Sequence, residues 1–295
     1  MPPLSSEPGR EIDQALLNAA VERRRAERAA EIAARHEERM AAAAEGMRAF
    51  HGRMASTHRH VEQQHRTAAR IHTVHAERLR RWSRGPIDAK EQPGLVQAVA
   101  ETLGASGAAL TLFEPETLMA ASSPASRTAQ CLEFALGQGP ARASVELCGP
   151  VIAAGPQMAI AWPIYGPAVE RLGIRAVAAV PVVAAGASLG ALTVFDPPRA
   201  HGPDLEAFEA AAGTLAVSLL SSWSASEADG PSGRPPLVDQ GDLWVVLNQA
   251  VGMVSVQCGS STADALALIK AHAFAEDRSV DEVAAAIVDR TLRLG

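Results

Sequence analysis

The stretch LGIRAVAAVPVVAAGASLGALTVF (residues 172–195) is the most apolar part of this 295-residue chain. A membrane-spanning helix needs about 20 consecutive apolar residues, whereas this stretch is interrupted by Arg175, Pro181, Gly186 and Gly190. Two apolar runs around a short glycine-containing segment are typical of paired strands. We therefore predict a β-hairpin with strands at residues 175–183 and 189–195, a turn at residues 184–188, and no membrane span.

Helical patterns flank this hairpin on both sides. Apolar residues recur at helical spacing in residues 95–103, where Gly104 ends the pattern, and again in residues 204–220. Residues 108–113 are apolar except for Thr111, which predicts a buried strand. Helices at both ends with strands between them predict an α+β sheet domain over residues 93–225.

Six short motifs follow one another in this domain: Phe134-Ala-Leu-Gly-Gln-Gly-Pro140, Gly149-Pro-Val-Ile152, Ala161-Trp-Pro163, Gly173-Ile-Arg-Ala-Val177, Val180-Pro181 and Leu189-Gly-Ala-Leu192. In this order and spacing they resemble the GAF sensor family. The resemblance implies a sheet with a ligand-sized cavity between it and the flanking loops and short helices. It identifies no particular ligand.

Trp162 is the residue that we expect to line such a cavity, with Pro163 beside it. The alternative is that Trp162 is simply a core residue. Relatives often carry Cys after the Gly-Pro pair, where this chain has Ala141, so that thiol ligand is missing. The Asn-Lys-x-Phe-Asp-Glu pattern of cyclic-nucleotide GAF domains is also absent.

Residues 11–84 contain no proline, and they are rich in long runs of Ala, Glu and Arg, which favour helix. This segment is therefore predicted to be helical, unlike the sheet domain. Every seventh residue from Ile12 to Ala68 is small or apolar, as in a seam between supercoiled helices. The companion stripe that starts at Leu16 is partly polar. We predict a long helix or helical hairpin in residues 1–84 that needs a partner, supplied by homodimerisation. The alternative is a solvated, partly frayed helix.

Four histidines repeat at the same interval of seven, at His51, His58, His65 and His72. If they face a partner helix, protonation below about pH 6 would place like charges along the seam and loosen it. If they face solvent, protonation would change little.

The last segment, residues 242–295, shows three short helical patterns. Cys258-Gly259 ends the first, Ser261 with Asp264 approximates a capping box for the second, and Ser279-Val-Asp-Glu282 is a full capping box for the third. The third pattern continues through Val283 to Leu292. A compact three-helix bundle is expected, joined to the neighbouring domains through linkers at residues 85–92 and 226–241.

The stretch Asn248-Gln-Ala-Val-Gly-Met-Val-Ser-Val256 is similar to the first motif of ANTAR modules, and residues 261–275 and 279–288 resemble their second and third helices. The resemblance implies that the bundle binds paired hairpin loops in nascent RNA, as a dimer, and prevents terminator formation. The residues expected to contact RNA are Gln249, Ala250, Gly252, Lys270, Arg278, Arg290 and Arg293. Gly252 allows close approach of RNA to the backbone, or close helix packing alone. Val251 stands where many such modules carry Lys, which removes one phosphate contact.

Composition limits the remaining functions. The net charge is −6 at pH 7, so any RNA site must be a local basic patch. Three cysteines and no signal-peptide pattern predict a cytoplasmic chain without disulfides. Catalytic, cofactor and metal sites are not expected. The alternative function is a GAF-containing signalling or scaffold protein whose C-terminal bundle binds protein or DNA.

Overall fold

The structure is a computed structural model that describes residues 7–84, 92–113, 118–198, 204–229, 241–276 and 278–294. A helical hairpin, a sheet domain and a helical bundle follow one another along the chain. The α+β class predicted from the sequence is therefore confirmed. Most of the predicted linkers, residues 85–92 and 226–241, lies outside the described residues.

The N-terminal segment forms a hairpin of two long helices, α1 (Glu7–Ala42) and α2 (Glu45–Ser83). The chain turns at Ala44, whose backbone is extended (φ −62°, ψ 156°). The two helices pack along most of their length. The partner that the seam requires is thus supplied within the chain.

The buried face of α1 is made almost entirely of alanines at spacings of three and four, namely Ala15, Ala19, Ala26, Ala29 and Ala33. The predicted stripe through Ala19, Ala26 and Ala33 is correct. Its companion passes through Ala15 and Ala29, not through Leu16 and Ala30 as predicted. Because the chain reverses between α1 and α2, Met40 and Met47 of the predicted stripe lie near the turn and are exposed.

The repeated histidines of α2 lie towards α1. The Nδ1 atoms of His51 and His36 are 3.0 Å apart, and the ring of His58 stacks on His36 with a centroid distance of 6.1 Å. His65 Nδ1 lies 2.6 Å from Glu22 Oε2, and His72 is buried. The predicted histidine seam therefore exists, but it lies between two helices of one chain instead of between two copies.

The sheet domain begins with α3 (Leu95–Leu103), which ends at Gly104 as predicted, with a φ of 64°. The elements that follow are β1 (Gly107–Leu112), β2 (Leu118–Ala121), α4 (Pro124–Leu136), α5 (Pro140–Glu146), β3 (Val151–Ala154), α6 (Pro156–Ala161), α7 (Tyr165–Arg171), β4 (Ala176–Ala184), β5 (Ala187–Phe195) and α8 (Leu205–Asp229). The strands form an antiparallel sheet in the order β2-β1-β5-β4-β3. Helix α8 extends into the stretch predicted as a linker.

The predicted β-hairpin is formed by β4 and β5, but its turn is shorter than expected. Ala184 pairs with Ala187, so only Ala185 and Gly186 make the turn, with φ values of 50° and 81°. Positive φ at both central residues matches the twist of the paired strands. The register shifts next to Val183, so the extra residues assigned to the turn lie within the strands.

Helices cover both faces of the sheet. Leu110, Val180 and Leu192 lie in the core shared with α3, α8 and α2, which contributes Ile71. The opposite face carries Ala109, Ala121, Val177 and Phe195 and packs against side chains of α4, α6 and α7. The helical hairpin is thus joined to the sheet domain through a common core.

The C-terminal bundle consists of α9 (Gly241–Cys258), α10 (Thr262–Ala275) and α11 (Val280–Val288). Both predicted N-caps are confirmed, and the Ser279 capping box is complete. The prediction that the third helix continues to Leu292 is wrong. Arg290 adopts a φ of 60°, and the backbone N–H groups of Thr291 and Leu292 donate to Ala286 O, which ends α11.

We predict that acid weakens the hairpin through His75, whose Nδ1 is buried without a hydrogen-bond partner. Burial, followed by the charges of His72 and Arg78, lowers the pKa of His75 to about 4. Since this value lies below the unfolded value of about 6.5, its stabilising effect is complete above pH 6.5 and is lost as the pH falls towards 4. Between pH 7.5 and pH 4.5 the wild type should lose roughly 2–3 kcal/mol of its free energy of unfolding through protonation of His75. The uncharged variant His75→Gln should not show this loss.

Urea unfolding followed by circular dichroism at pH 7.5 and 4.5 measures this difference. Arg53→Gln, at an exposed position of the same helix, is the control and should lose as much stability between the two pH values as the wild type. Equal losses of stability in the wild type and His75→Gln would contradict the prediction.

Candidate functional site

Two of the arginines predicted to contact RNA lie together at one end of the bundle. Arg290 and Arg293 follow α11 and are exposed. The Cys258 thiol donates to Leu294 O at a sulfur–oxygen distance of 3.1 Å, which brings this segment to the C-terminal end of α9. Arg278 lies before α11, about 13 Å away given the rise of a nine-residue helix. The structure therefore brings together Arg290 and Arg293, but not Arg278.

Helix α9 presents some of the predicted residues and buries others. Gln249 and Gly252 are exposed. An added Cβ at Gly252 would have no neighbour within 4 Å outside the helix's own backbone, so packing within this chain does not require glycine there. Ala250 is fully buried and Val251 is 8% exposed. The prediction that Ala250 contacts RNA is therefore replaced by a role in the bundle core.

Lys270 faces the sheet domain. Its Nζ atom lies 3.6 Å from the centroid of the Phe134 ring at the end of α4. Phe134 and Ala135 also pack against the core of the bundle. Burial, followed by the charge of Arg142, lowers the pKa of Lys270 to about 8. Lys270 thus lies at the junction between the two domains, whereas Arg278, Arg290 and Arg293 are exposed.

The residue before Phe134 is a buried acid. Glu133 lies in α4, and its Oε1 accepts the Arg142 backbone N–H at 2.9 Å, at the start of α5. A Cβ at Gly139 would come within 2.6 Å of the Glu133 side chain, so glycine is needed for this approach. Burial outweighs the favourable hydrogen bonds and raises the pKa of Glu133 to about 7.

Other polar groups lie within the same half of the domain. The Tyr165 hydroxyl is buried without a hydrogen-bond partner. Burial and then the charge of Glu133 raise the pKa of Tyr165. Gln130 Nε2 donates to Leu110 O at 2.6 Å and to Thr111 Oγ1 at 2.8 Å. Polar groups therefore lie beneath the helices on this face of the sheet.

Trp162 lies in the core beside these groups. It is 6% exposed, and its ring meets Tyr165 edge-on at a centroid distance of 5.9 Å. A cleft of about 460 Å³ lies elsewhere, between α2, α3 and the start of α8; its lining residues are Gln63, Arg66, Thr67, Arg70, Thr102, Leu103, Pro198, Asp204, Ala207 and Phe208. The structure thus gives Trp162 the core position that was the alternative to lining a cavity.

Sequence reasoning missed Glu133, Arg142 and Tyr165. Glu133 and Arg142 lie on either side of the quoted motif at residues 134–140, and charged residues next to that motif were the signal that could have identified them. Within the described part of the chain, no group of three or more His, Cys, Asp or Glu side chains is placed to hold a metal ion. None of the described helices has the length and apolar content needed to cross a membrane.

Comparison with known families gives one match. Residues 94–219 match the family model described as GAF domain, which covers the segment from the residue before α3 into α8. The GAF domain inferred from the motifs is therefore present, and it supports a sensor or signalling role. No curated protein matches the chain.

We expect the buried Glu133 carboxyl to make the domain less stable at neutral pH than at pH 4.5. Its folded pKa of about 7 exceeds its ordinary value of 4.5, so the stability it contributes is complete below pH 4.5 and is lost as the pH rises through 7. Glu133→Gln keeps an acceptor oxygen without the charge. The free energy of unfolding of this variant minus that of the wild type should increase by up to about 3 kcal/mol between pH 4.5 and pH 8.

Thermal unfolding at the two pH values tests this expectation. Glu146→Gln, at an exposed position on α5, is the control and should show no such dependence. A stability difference between Glu133→Gln and the wild type that does not change with pH would contradict the assignment.

Proposed function

We propose that this chain is a cytoplasmic, non-enzymatic regulator whose C-terminal bundle binds hairpin loops in nascent RNA and promotes transcription antitermination. In this proposal the chain acts as a homodimer, and the GAF domain controls the bundle in response to a small molecule. The similarity of residues 248–288 to ANTAR modules supports the proposal. The described helices α9 to α11 follow one another in the order that this similarity implies.

The observation that carries the proposal is the local grouping of RNA-compatible side chains at the end of the bundle. Residues 242–295 contain four Lys or Arg and seven Asp or Glu, so general attraction to RNA is not expected. Arg290 and Arg293 are nevertheless exposed together near the end of α9. Guanidinium groups bind phosphates and also stack on the bases of RNA loops.

Helix α10 supports the same function. Phe274 is 64% exposed, and an exposed aromatic ring can stack on an unpaired base. Leu268 of the same helix is 44% exposed. Exposed apolar side chains equally favour the second candidate function, in which the bundle of a signalling or scaffold protein binds another protein.

We predict that Arg290→Gln with Arg293→Gln weakens the binding of a tandem-hairpin RNA. Removing two phosphate contacts should reduce the slope of log affinity against log salt by about 1.4, since each single-stranded contact contributes about 0.7. Fluorescence anisotropy at four salt concentrations measures both quantities. Arg171→Gln with Arg175→Gln removes the same charge from exposed positions of the GAF domain and should leave both unchanged.

Two outcomes would count against this proposal. If the wild type does not distinguish tandem hairpins from unstructured RNA of equal length, the antitermination function is wrong. If the wild type binds hairpins but both double variants behave alike, RNA binds elsewhere on the chain.

A further inference from the structure

The cleft between the helical hairpin and the GAF domain has the size of a ligand site. Its volume of about 460 Å³ lies within the range of roughly 300–1,000 Å³ that small-molecule sites occupy. Leu103 and Phe208 of its lining belong to the core shared by α2, α3 and α8. Trp162 and Tyr165 lie on the opposite face of the sheet. The cleft is therefore separate from the buried polar groups beneath α4.

Helix α2 supplies a polar wall of this cleft. Four of its residues line the cleft at spacings of three and four, which places them on one face of the helix, namely Gln63, Arg66, Thr67 and Arg70. Arg66 Nη2 lies 2.5 Å from Glu62 Oε1, so the charge of Arg66 is compensated. Arg70 pairs with no carboxylate of the described residues. Arg70 is thus an uncompensated cation in the wall of the cleft.

Two hydroxyl groups in the lining lack hydrogen-bond partners. Thr102 Oγ1, in α3, is buried without a partner. Thr67 is only 7% exposed, and its hydroxyl makes no hydrogen bond within the described part of the chain. Leaving a buried hydroxyl without a partner costs free energy. An acceptor bound in the cleft would satisfy both donors.

The acid in the lining already has a partner of its own. Asp204 precedes α8, and its Oδ1 accepts the Ala207 backbone N–H at 3.0 Å. A carboxylate at this position is stabilised by the N-terminus of the helix. With Arg66 and Asp204 each compensated, the charge that remains is the single positive charge of Arg70. The lining therefore matches a ligand with one negative charge.

We propose that this cleft binds a small organic carboxylate. The carboxylate group pairs with Arg70 and accepts hydrogen bonds from Thr67 and Thr102, an arrangement that suits a planar anion. The apolar part of the ligand packs against Leu103 and Phe208. Because the lining comes from α2, α3 and α8, the bound carboxylate holds the helical hairpin against the GAF domain.

This ligand class deepens the proposed sensor role, and it rests on the proposed function only for its effect on the C-terminal bundle. Binding of a carboxylate in the cleft involves no RNA contact. The two proposals can therefore be tested separately.

Titration of the full chain with para-fluorobenzoate and its neutral counterpart para-fluorobenzamide, followed by fluorine NMR at pH 7.5, tests the site. We expect the carboxylate to bind with a dissociation constant of about 1 mM or below. Its affinity should exceed that of the amide about tenfold or more, because only the carboxylate pairs with Arg70. The doubly charged para-fluorophenyl phosphate should bind more weakly than the carboxylate, since Asp204 repels its second charge.

Three variants assign the binding to the cleft. Arg70→Gln should lose the preference for the carboxylate over the amide. Arg80→Gln, at an exposed position of the same helix outside the cleft, removes the same charge and should retain the preference. Thr102→Val keeps the side-chain shape without the hydroxyl. It should weaken carboxylate binding about threefold or more without lowering Tm, because this hydroxyl has no partner in the free protein.

Circular dichroism confirms that each variant is folded. Equal affinity for the carboxylate and the amide, tighter binding of the phosphate, or a preference that persists in folded Arg70→Gln overturns the proposal. Absence of carboxylate binding up to about 20 mM overturns it as well. Carboxylate binding that depends on Arg70 and Thr102 supports the site even if the tandem-hairpin experiment fails.

Discussion

Strand β5 lies between β1 and β4 at the centre of the sheet, and the remaining structure depends on this pairing. The approach of β1 to β5 is so close that a Cβ at Gly190 would lie 2.0 Å from Thr111 O. Only glycine permits this distance. The paired strands then present Leu110, Leu192 and Val194 on one side and Ala109 and Phe195 on the other, so that helices cover both faces.

The two covered faces give the domain two different connections. On one face α2 enters the core with Ile71, and Arg78 of the same helix pairs with Glu101 at 2.8 Å. On the other face α4 lies between the sheet and the C-terminal bundle, which it meets where Phe134 contacts Lys270. Side chains of one sheet therefore fill both cores.

Glu133 and Phe134 show how close the interior of the GAF domain lies to the bundle. The first residue places a buried carboxyl at the start of α5, and the second supports Lys270. Arg142 belongs to both environments, since its backbone N–H donates to Glu133 and its guanidinium group acts on Lys270. The buried carboxyl of the GAF domain and the contact with the bundle thus belong to consecutive residues of α4.

The sequence by itself determined the elements whose signals are local. Helix α3 with its stop at Gly104, the caps of α10 and α11 and the β4–β5 hairpin follow from spacing, turn residues and capping chemistry. The GAF domain was identified by the resemblance of its ordered motifs to a known family. Contacts between distant residues depended on the tertiary structure, because periodicity shows that a face is buried but not what covers it. The structure thus placed the histidine seam within one chain, put Ala250 in the bundle core and turned Lys270 towards Phe134. The contact of Lys270 with Phe134 joins residues more than a hundred positions apart, and only the packing of α4 on the bundle brings them together.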